Sequence, residues 1–304
     1  MSDGPPPAGR LGHFTPLRYP GGKGKLAPFV KQLIELNGLS DGEYAEPYAG
    51  GAALALELLF HEYVSRIHIN DISRPVYSFW RSVLDEPDAL AALVVDTPLT
   101  VDEWDRQKRV YANQADYDDL LVGFATFYLN RTNRSGILNG GIIGGRDQTG
   151  PWKIDARYNA GDLAGRILAI GGQAHRISLT NLDACEFMRR GGLSWPKKTL
   201  VYLDPPYFVK GRHLYHDFYR PEDHAEVAQV VADALSSQAW IVSYDDVEDI
   251  RTLYGQAPAI SYVVGYSART VRNGSEVMFF KDGLEIPPLC GVMKPVCPPS
   301  AIAA

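Results

Sequence analysis

Cysteine is scarce. Cys185, Cys290 and Cys297 are all that 304 residues hold, too few and too scattered for a disulfide framework. Cys290 and Cys297 lie in a Pro-rich stretch without a neighbouring histidine, so zinc is not expected there, nor any metal elsewhere. No run approaches the ~18 uninterrupted apolar residues of a membrane span. The opening Met1-Ser2-Asp3-Gly4-Pro5-Pro6-Pro7 lacks the basic-then-apolar plan of a secretory leader, and the expected location is the cytoplasm. Internal repeats are missing, as is the Gly-x-Gly-x-x-Gly fingerprint, which disfavours a nicotinamide enzyme. Net positive charge is lacking too: 30 Lys and Arg against 36 Asp and Glu leave −6, which does not advertise nucleic-acid binding.

What is present points to a well-cored α/β protein, 45% hydrophobic and 22% charged. Helical spacing runs from Leu26 to Leu36. A strand over Glu43 to Tyr48 leads through a Gly-rich turn into a helix from Ala52 to Tyr63. A short strand over Arg66 to Asn70 precedes a helix from Pro75 to Leu84. This alternation predicts a parallel sheet covered by helices. After about residue 95 the pattern changes to one long helical stretch, Val101 to Asn130, then to an irregular Gly/Asn/Arg segment from Asn130 to Tyr158. That segment exceeds the ~12–15 residues usual for an unstructured connection, which marks it as functional or a linker. Alternation returns at Ile177–Thr180 and continues through Leu200–Leu203, Ala239–Tyr244 and Glu276–Phe280. One α/β domain interrupted by an inserted module is expected, with Pro-rich tails over 1–10 and 286–304. Charge is uneven along it. Asp96 to Leu120 carries seven acids and three bases, whereas Asn130 to Arg176 carries seven bases and three acids. The second stretch is the kind of local cation excess that phosphate contact requires.

Several short motifs carry chemistry. Asp204-Pro205-Pro206-Tyr207 follows the apolar run Thr199 to Leu203, and its two prolines end that strand. In an open α/β sheet the carboxyl edge of a strand is where ligands sit. A carboxylate, a rigid carbonyl and an aromatic face suit a flat, amino-bearing heterocycle; the plainer reading is a strand end with a turn. Glu46-Pro47-Tyr48-Ala49-Gly50-Gly51-Ala52 places small residues between a strand and a helix, so a ligand can approach the backbone. Asp71, roughly twenty residues on, is placed to bond a ribose, or else to cap a helix. Arg18-Tyr19-Pro20-Gly21-Gly22-Lys23 offers Lys23 to a ligand carboxylate but lacks P-loop spacing. Asp183 follows a strand and either accepts from an adenine amino group or caps the next helix.

In this order, Tyr19-x-x-x-Lys23, Glu46-Pro47-Tyr48-x-Gly50, Asn70-Asp71-Ile72, Asn130-Arg131-Thr132, Asp183 and Asp204-Pro205-Pro206-Tyr207 resemble the Dam-type DNA adenine-N6 methyltransferases (alpha-class motif order) over residues 16 to 281. The resemblance implies a seven-stranded, Rossmann-like class I methyltransferase sheet with an inserted, mostly helical target-recognition domain. On that plan residues 11–95 and 177–285 bind S-adenosylmethionine and carry catalysis, and 96–176 recognise DNA. Tyr19, Lys23, Glu46, Pro47, Tyr48, Gly50, Asp71, Asp183 and Asp204 fall at the family's cofactor positions. Asp204, Pro205, Pro206 and Tyr207 fall at its catalytic ones. The implied reaction moves a methyl group from S-adenosylmethionine to N6 of an adenine flipped out of duplex DNA. Duplex DNA is the implied partner of a monomer or weak dimer, with a cognate restriction endonuclease in the same system. Two other readings stay open: the same chemistry on RNA or a protein amide, and a DNA-binding regulator that has lost catalysis.

Two departures from the family pattern matter. Ala52 stands where relatives carry Gly. In Asn130 to Asn139, GATC-methylating relatives carry an aromatic residue near Arg134 and a base-reading arginine near Asn139. An Arg suits guanine and an Asn suits adenine, so a short adenine site other than GATC is expected. Its readers are sought among Arg134, Ser135, Asn139 and Arg146, with Arg131 and Lys210 as further DNA contacts. Lys210 to His216 reads as a lid over the flipped nucleotide, and Ser267 to Asn273 as a backbone contact.

Overall fold

The computed structural model describes residues 14–18, 22–208, 219–264 and 275–296. Tyr19, Lys210, the lid expected over 210–216 and the backbone contact expected over 267–273 lie outside the described residues.

The strands are β1 (Gly42–Glu46), β2 (Val64–Asn70), β3 (Ile177–Thr180), β4 (Thr199–Leu203), β5 (Ala239–Asp245), β6 (Ala259–Val264), β7 (Glu276–Phe280) and β8 (Met293–Pro295). They form an eight-stranded sheet in the order β3-β2-β1-β4-β5-β7-β6-β8. The pairs β2/β3, β1/β4 and β4/β5 are parallel, whereas β7 and β8 run antiparallel to their neighbours. Every residue of β4 and β7 is buried. Such strands read as continuous apolar runs because both faces of the sheet are covered. The sheet has one strand more than the family resemblance implies. That strand, β8, falls inside the stretch expected to be a tail, and Pro295 is tolerated there because β8 is an edge.

The helices are α1 (Ala27–Leu36), α2 (Ala53–Phe60), α3 (Arg74–Asp85), α4 (Pro87–Asp96), α5 (Val101–Ala112), α6 (Asp119–Thr132), α7 (Ala160–Gly171), α8 (Ala184–Ser194), α9 (Pro221–Ala234) and α10 (Glu248–Tyr254). None is long and apolar enough to cross a membrane. The single helix expected from Val101 to Asn130 is in fact two. Asn113 turns its side-chain amide back onto the Arg109 carbonyl, and Asp118 caps α6 by accepting from the Leu121 N–H. Capping residues compete with the helical backbone for hydrogen bonds, so they end helices where hydrophobic spacing alone would let them run on.

Two compact units make up the chain. The first comprises Met1–Gly24, Ala49–Phe60 and Arg66–Asp183. In it α3 and α6 share a core: Phe79 stacks on Phe127 at 5.9 Å between ring centroids, and Ser78 Oγ donates to Asp119 Oδ1 at 2.7 Å. Gly123 permits this approach, since a Cβ there would lie 2.6 Å from the Ser78 carbonyl oxygen. The second unit comprises Lys25–Tyr48, His61–Ser65 and Ala184–Ala304. Within it β1 and β4 pair in register, Ala45 opposite Val201, so their carboxyl ends lie side by side. Here the strand order reverses direction, which is the position where open α/β sheets bind ligands.

Candidate active site

In the second unit the β1/β4 register sets Glu46-Pro47-Tyr48 beside Asp204-Pro205-Pro206-Tyr207. Neither proline has an N–H to continue the ladder, so the chain turns and leaves Asp204 half-buried at the strand end. A hydroxyl relay fixes the carboxylate: Tyr202 donates to Ser243 Oγ at 3.0 Å, and Ser243 Oγ donates to Asp204 Oδ1 at 2.9 Å. Past the tetrapeptide, the Phe208 N–H donates to Asp245 Oδ1 at 2.9 Å, so both ends of the turn are tied to β5. Burial raises the Tyr207 phenol far above its ordinary value, helped by the Asp204 and Glu276 charges and a hydrogen bond to Glu276. Glu276 is in turn held by the Tyr262 hydroxyl at 3.0 Å. Tyr207 therefore stays a neutral aromatic ring with its hydroxyl anchored in the sheet.

Around this turn lies an aromatic wall. The Tyr219 hydroxyl donates to the Tyr48 hydroxyl at 3.1 Å, with the two rings edge to face. Burial raises the Tyr48 phenol, with Tyr219 adding to the shift. His224 packs against Phe208, Tyr219 and Tyr244, and its Nδ1 lies 3.0 Å from the Tyr244 hydroxyl. Burial lowers its pKa, which keeps the imidazole neutral. At β1, Glu46 is buried and accepts from the Tyr44 hydroxyl at 2.9 Å. Ser243, Asp245, Glu276 and Tyr219 are absent from the sequence-derived site. Ser243 and Asp245 sit on β5 in what reads as ordinary core sequence, and only the pairing of β5 with β4 brings them to the tetrapeptide.

The first unit holds a second cluster, at the ends of β2 and β3. Asn70 stitches these ends together. Its Oδ1 accepts from Thr180 Oγ1 at 2.7 Å and from the Leu182 N–H at 2.9 Å, and its Nδ2 donates to the Leu182 carbonyl. Asp71 follows, buried, with Oδ2 accepting from the Gly50 N–H and Oδ1 from the Ser73 N–H, both at 2.9 Å. Those bonds use about half of a carboxylate's four lone-pair sites and leave acceptors for a diol. Desolvation raises Asp71 from 3.8 to about 6 despite them. Gly50 has φ 47°, and Ala52 adopts φ 45°, a left-handed conformation that costs a side chain about 1–2 kcal/mol. The Gly-to-Ala departure thus sits where the backbone favours glycine. The buried acid bonded to a small-residue turn fits an adenosine ribose. Lys23 lies half-buried in the turn Lys23–Leu26, and Asp183 is exposed immediately before α8.

The expected DNA-reading segment is also in the first unit and divides into a frame and a tip. Asn130 belongs to the frame: its Oδ1 accepts from the Arg18 N–H at 2.7 Å, and its Nδ2 donates to the carbonyls of Arg18 and Gly136. Asn133 donates to the carbonyls of Ile137 and Leu138 and accepts from Trp104 Nε1. Gln148 clamps the carbonyls of Ile143 and Gly145 and the Ile154 N–H. Arg131 braces the backbone, with Nε donating to the Pro16 carbonyl at 2.6 Å. Arg146 is exposed but forms a two-pronged ion pair with Asp105 at 2.9 and 2.6 Å. At the tip, Arg134, Ser135 and Asn139 are exposed, and Ser135 and Gly136 are consecutive left-handed residues at φ 58° and 76°. Among the described residues no group of three or more His, Cys, Asp or Glu is arranged to hold a metal.

The mostly parallel, Rossmann-like sheet carries Asp204-Pro205-Pro206-Tyr207 at the point where its strand order reverses. Residues 19–137 match the model of the D12 class N6 adenine-specific DNA methyltransferases. No curated protein matches the sequence. Among solved structures, the rRNA methyltransferase aviRa from Streptomyces viridochromogenes is similar at 15% identity and TM-score 0.41, covering 90% of each chain. Protein LPL1258 from Legionella pneumophila is similar at 12% identity and TM-score 0.31, covering 89% of this chain and 85% of that one. Likenesses this remote do not bear on substrate.

Proposed function

We propose that the protein transfers a methyl group from S-adenosylmethionine to N6 of an adenine flipped out of a short duplex DNA site other than GATC. The observation that carries this reading is the Asp204 carboxylate, held by Ser243 at the sheet's reversal point beside an anchored Tyr207. The N6 lone pair is delocalised into the purine and is a poor nucleophile. Asp204 and the Pro205 carbonyl accept from the two N6 hydrogens, which favours a pyramidal nitrogen and stabilises the positive charge that grows on it. The Tyr207 ring stacks on the base and holds it in line for attack. S-adenosylmethionine supplies an electrophilic methyl group on a sulfonium. For that donor, Asp71 is assigned the ribose hydroxyls, Lys23 and Tyr19 the methionine end, Asp183 the adenine, and the Glu46 to Gly50 stretch further cofactor contacts.

Arg134, Ser135 and Asn139, exposed at the tip, read bases, and Arg131, Arg146 and Lys210 serve the backbone. The test is to incubate the protein with labelled S-adenosylmethionine and plasmid DNA, RNA or protein. Label is expected in DNA, and single-molecule sequencing is expected to place it at one adenine of a short motif. Label in RNA or protein alone would overturn the reading, and a GATC motif would overturn the assignment of the tip.

Asp71 gives the reaction a pH signature. Its ionised form accepts the ribose hydroxyls, so cofactor affinity is expected to rise about tenfold per unit as pH approaches 6, then level off. The same shift acts oppositely on stability. Between 3.8 and about 6 the folded protein holds a proton that the unfolded chain has released, so stability falls as pH rises through that window. Calorimetric titration of cofactor from pH 5 to 8 checks this, and a flat profile removes Asp71 ionisation from binding.

Ser243→Ala removes the donor to Asp204 without touching substrate. A fall in kcat of about tenfold is expected from the loosened carboxylate, with KM for DNA little changed and Ser243→Thr restoring part of the rate. Equal kcat in Ser243→Ala and wild type would show that the relay does not position Asp204.

A further inference from the structure

We propose that Arg18, Arg131 and Arg157 clamp one backbone phosphate of the DNA, a site that rests on the DNA-methylating reading above. The geometry is unusual for arginine. Arg18 Nη1 is buried and has no hydrogen-bond partner among the described residues. Its backbone cannot drift to find one, since Asn130 holds both the Arg18 N–H and the Arg18 carbonyl. Arg131 is drawn to the same strap of chain by its bond to the Pro16 carbonyl. Arg166 donates to the neighbouring Thr15 carbonyl at 3.2 Å. Arg157 lies over the face of Trp152, 5.7 Å from the ring centroid, and that ring is 65% exposed.

These cations press on one another. Burial and the Arg157 charge lower Arg18, and burial with the Arg166 and Arg18 charges lowers Arg131 to about 9. Asp162, whose charge favours Arg131, is itself bonded to Arg166 at 2.8 Å. Among the described residues Arg18, Arg131 and Arg157 have no ion pair of their own, so the cluster is short of one anion. A tetrahedral oxyanion fits it: guanidinium forks match phosphate oxygens, and the charge relieves repulsion that the empty cluster must bear. The tip residues Arg134 and Ser135 lie a few residues from Asn130, so a phosphate held here would register the duplex for the base readers.

Binding of duplexes of unrelated sequence, measured by anisotropy across a salt series, tests the clamp. The variants are Arg18→Gln and Arg157→Gln, with Arg109→Gln, exposed on α5, as control. Each cluster variant is expected to flatten the slope of log Kd against log salt by about 0.9, the signature of one lost phosphate contact. The loss should be the same on every duplex, while Arg109→Gln keeps the wild-type slope. Without DNA, melting temperatures of the two variants are expected to equal or exceed wild type, because a repulsive charge has gone. Wild-type slopes in both variants overturn the clamp, and so does a loss confined to one sequence, which would mean base reading. A wild-type protein that labels RNA or protein but never DNA sinks the parent reading instead, independently of the variants.

Discussion

Asp204→Ala is expected to reduce methyl transfer to DNA by at least about 10³-fold, which corresponds to about 4 kcal/mol of transition-state stabilisation. The size follows from the site. The carboxylate is fixed by the Tyr202–Ser243 relay, so it meets the developing positive charge without reorganising. Removing it leaves the Pro205 carbonyl as the remaining acceptor of the pair. Asp204→Asn keeps one acceptor oxygen and loses the charge, so it should fall between alanine and wild type. Cofactor affinity should remain measurable in both, because the acid proposed to hold the ribose is Asp71. Single-turnover methylation with saturating DNA separates these effects, and near-normal rates in Asp204→Ala would strip the residue of its assigned role.

Gly136→Ala is expected to damage DNA recognition more than any other single change at the loop. At φ 76° an alanine is strained, and its Cβ would lie 2.3 Å from the Arg18 carbonyl oxygen, well inside contact distance. Neither neighbour can yield easily, since Asn130 bonds the carbonyls of both Arg18 and Gly136. The expected cost is about 2–3 kcal/mol of stability. DNA affinity should fall by at least tenfold, because the strap carrying Arg18 and the tip carrying Arg134 are displaced together. Thermal melting and DNA titration report the two effects. A variant with wild-type values in both would show that the loop adjusts freely around residue 136.

The motifs that carry the proposed chemistry were legible in the sequence. Asp204-Pro205-Pro206-Tyr207 is contiguous, and prolines that end an apolar strand announce an exposed edge by covalent geometry alone. The turn around Gly50 and the acid at 71 were readable for the same reason, since each motif is defined by neighbours along the chain. The break between α5 and α6 was missed because apolar spacing runs on through Asn113 and Asp118, and only the capping bonds show where it stops. β8 was missed because three residues in a Pro-rich stretch carry no periodic signal, and its pairing with β6 decides its state.

The basic stretch from Asn130 to Arg176 shows the division most clearly. The sequence set Arg134 and Arg146 among the expected base readers and Arg131 among the further DNA contacts. Folding assigns Arg131 to the Pro16 carbonyl and pairs Arg146 with Asp105, while it leaves Arg134 exposed. It also gathers Arg18, more than a hundred residues away, into the same cluster. The sequence by itself determined the alternating α/β plan and the contiguous motifs on which the proposed reaction rests, because these depend on local order along the chain. Only the tertiary structure decided which partners within the fold each of these cations has and which groups hold Asp204 in place. Partners far apart in sequence become neighbours only when strands pair and helices pack.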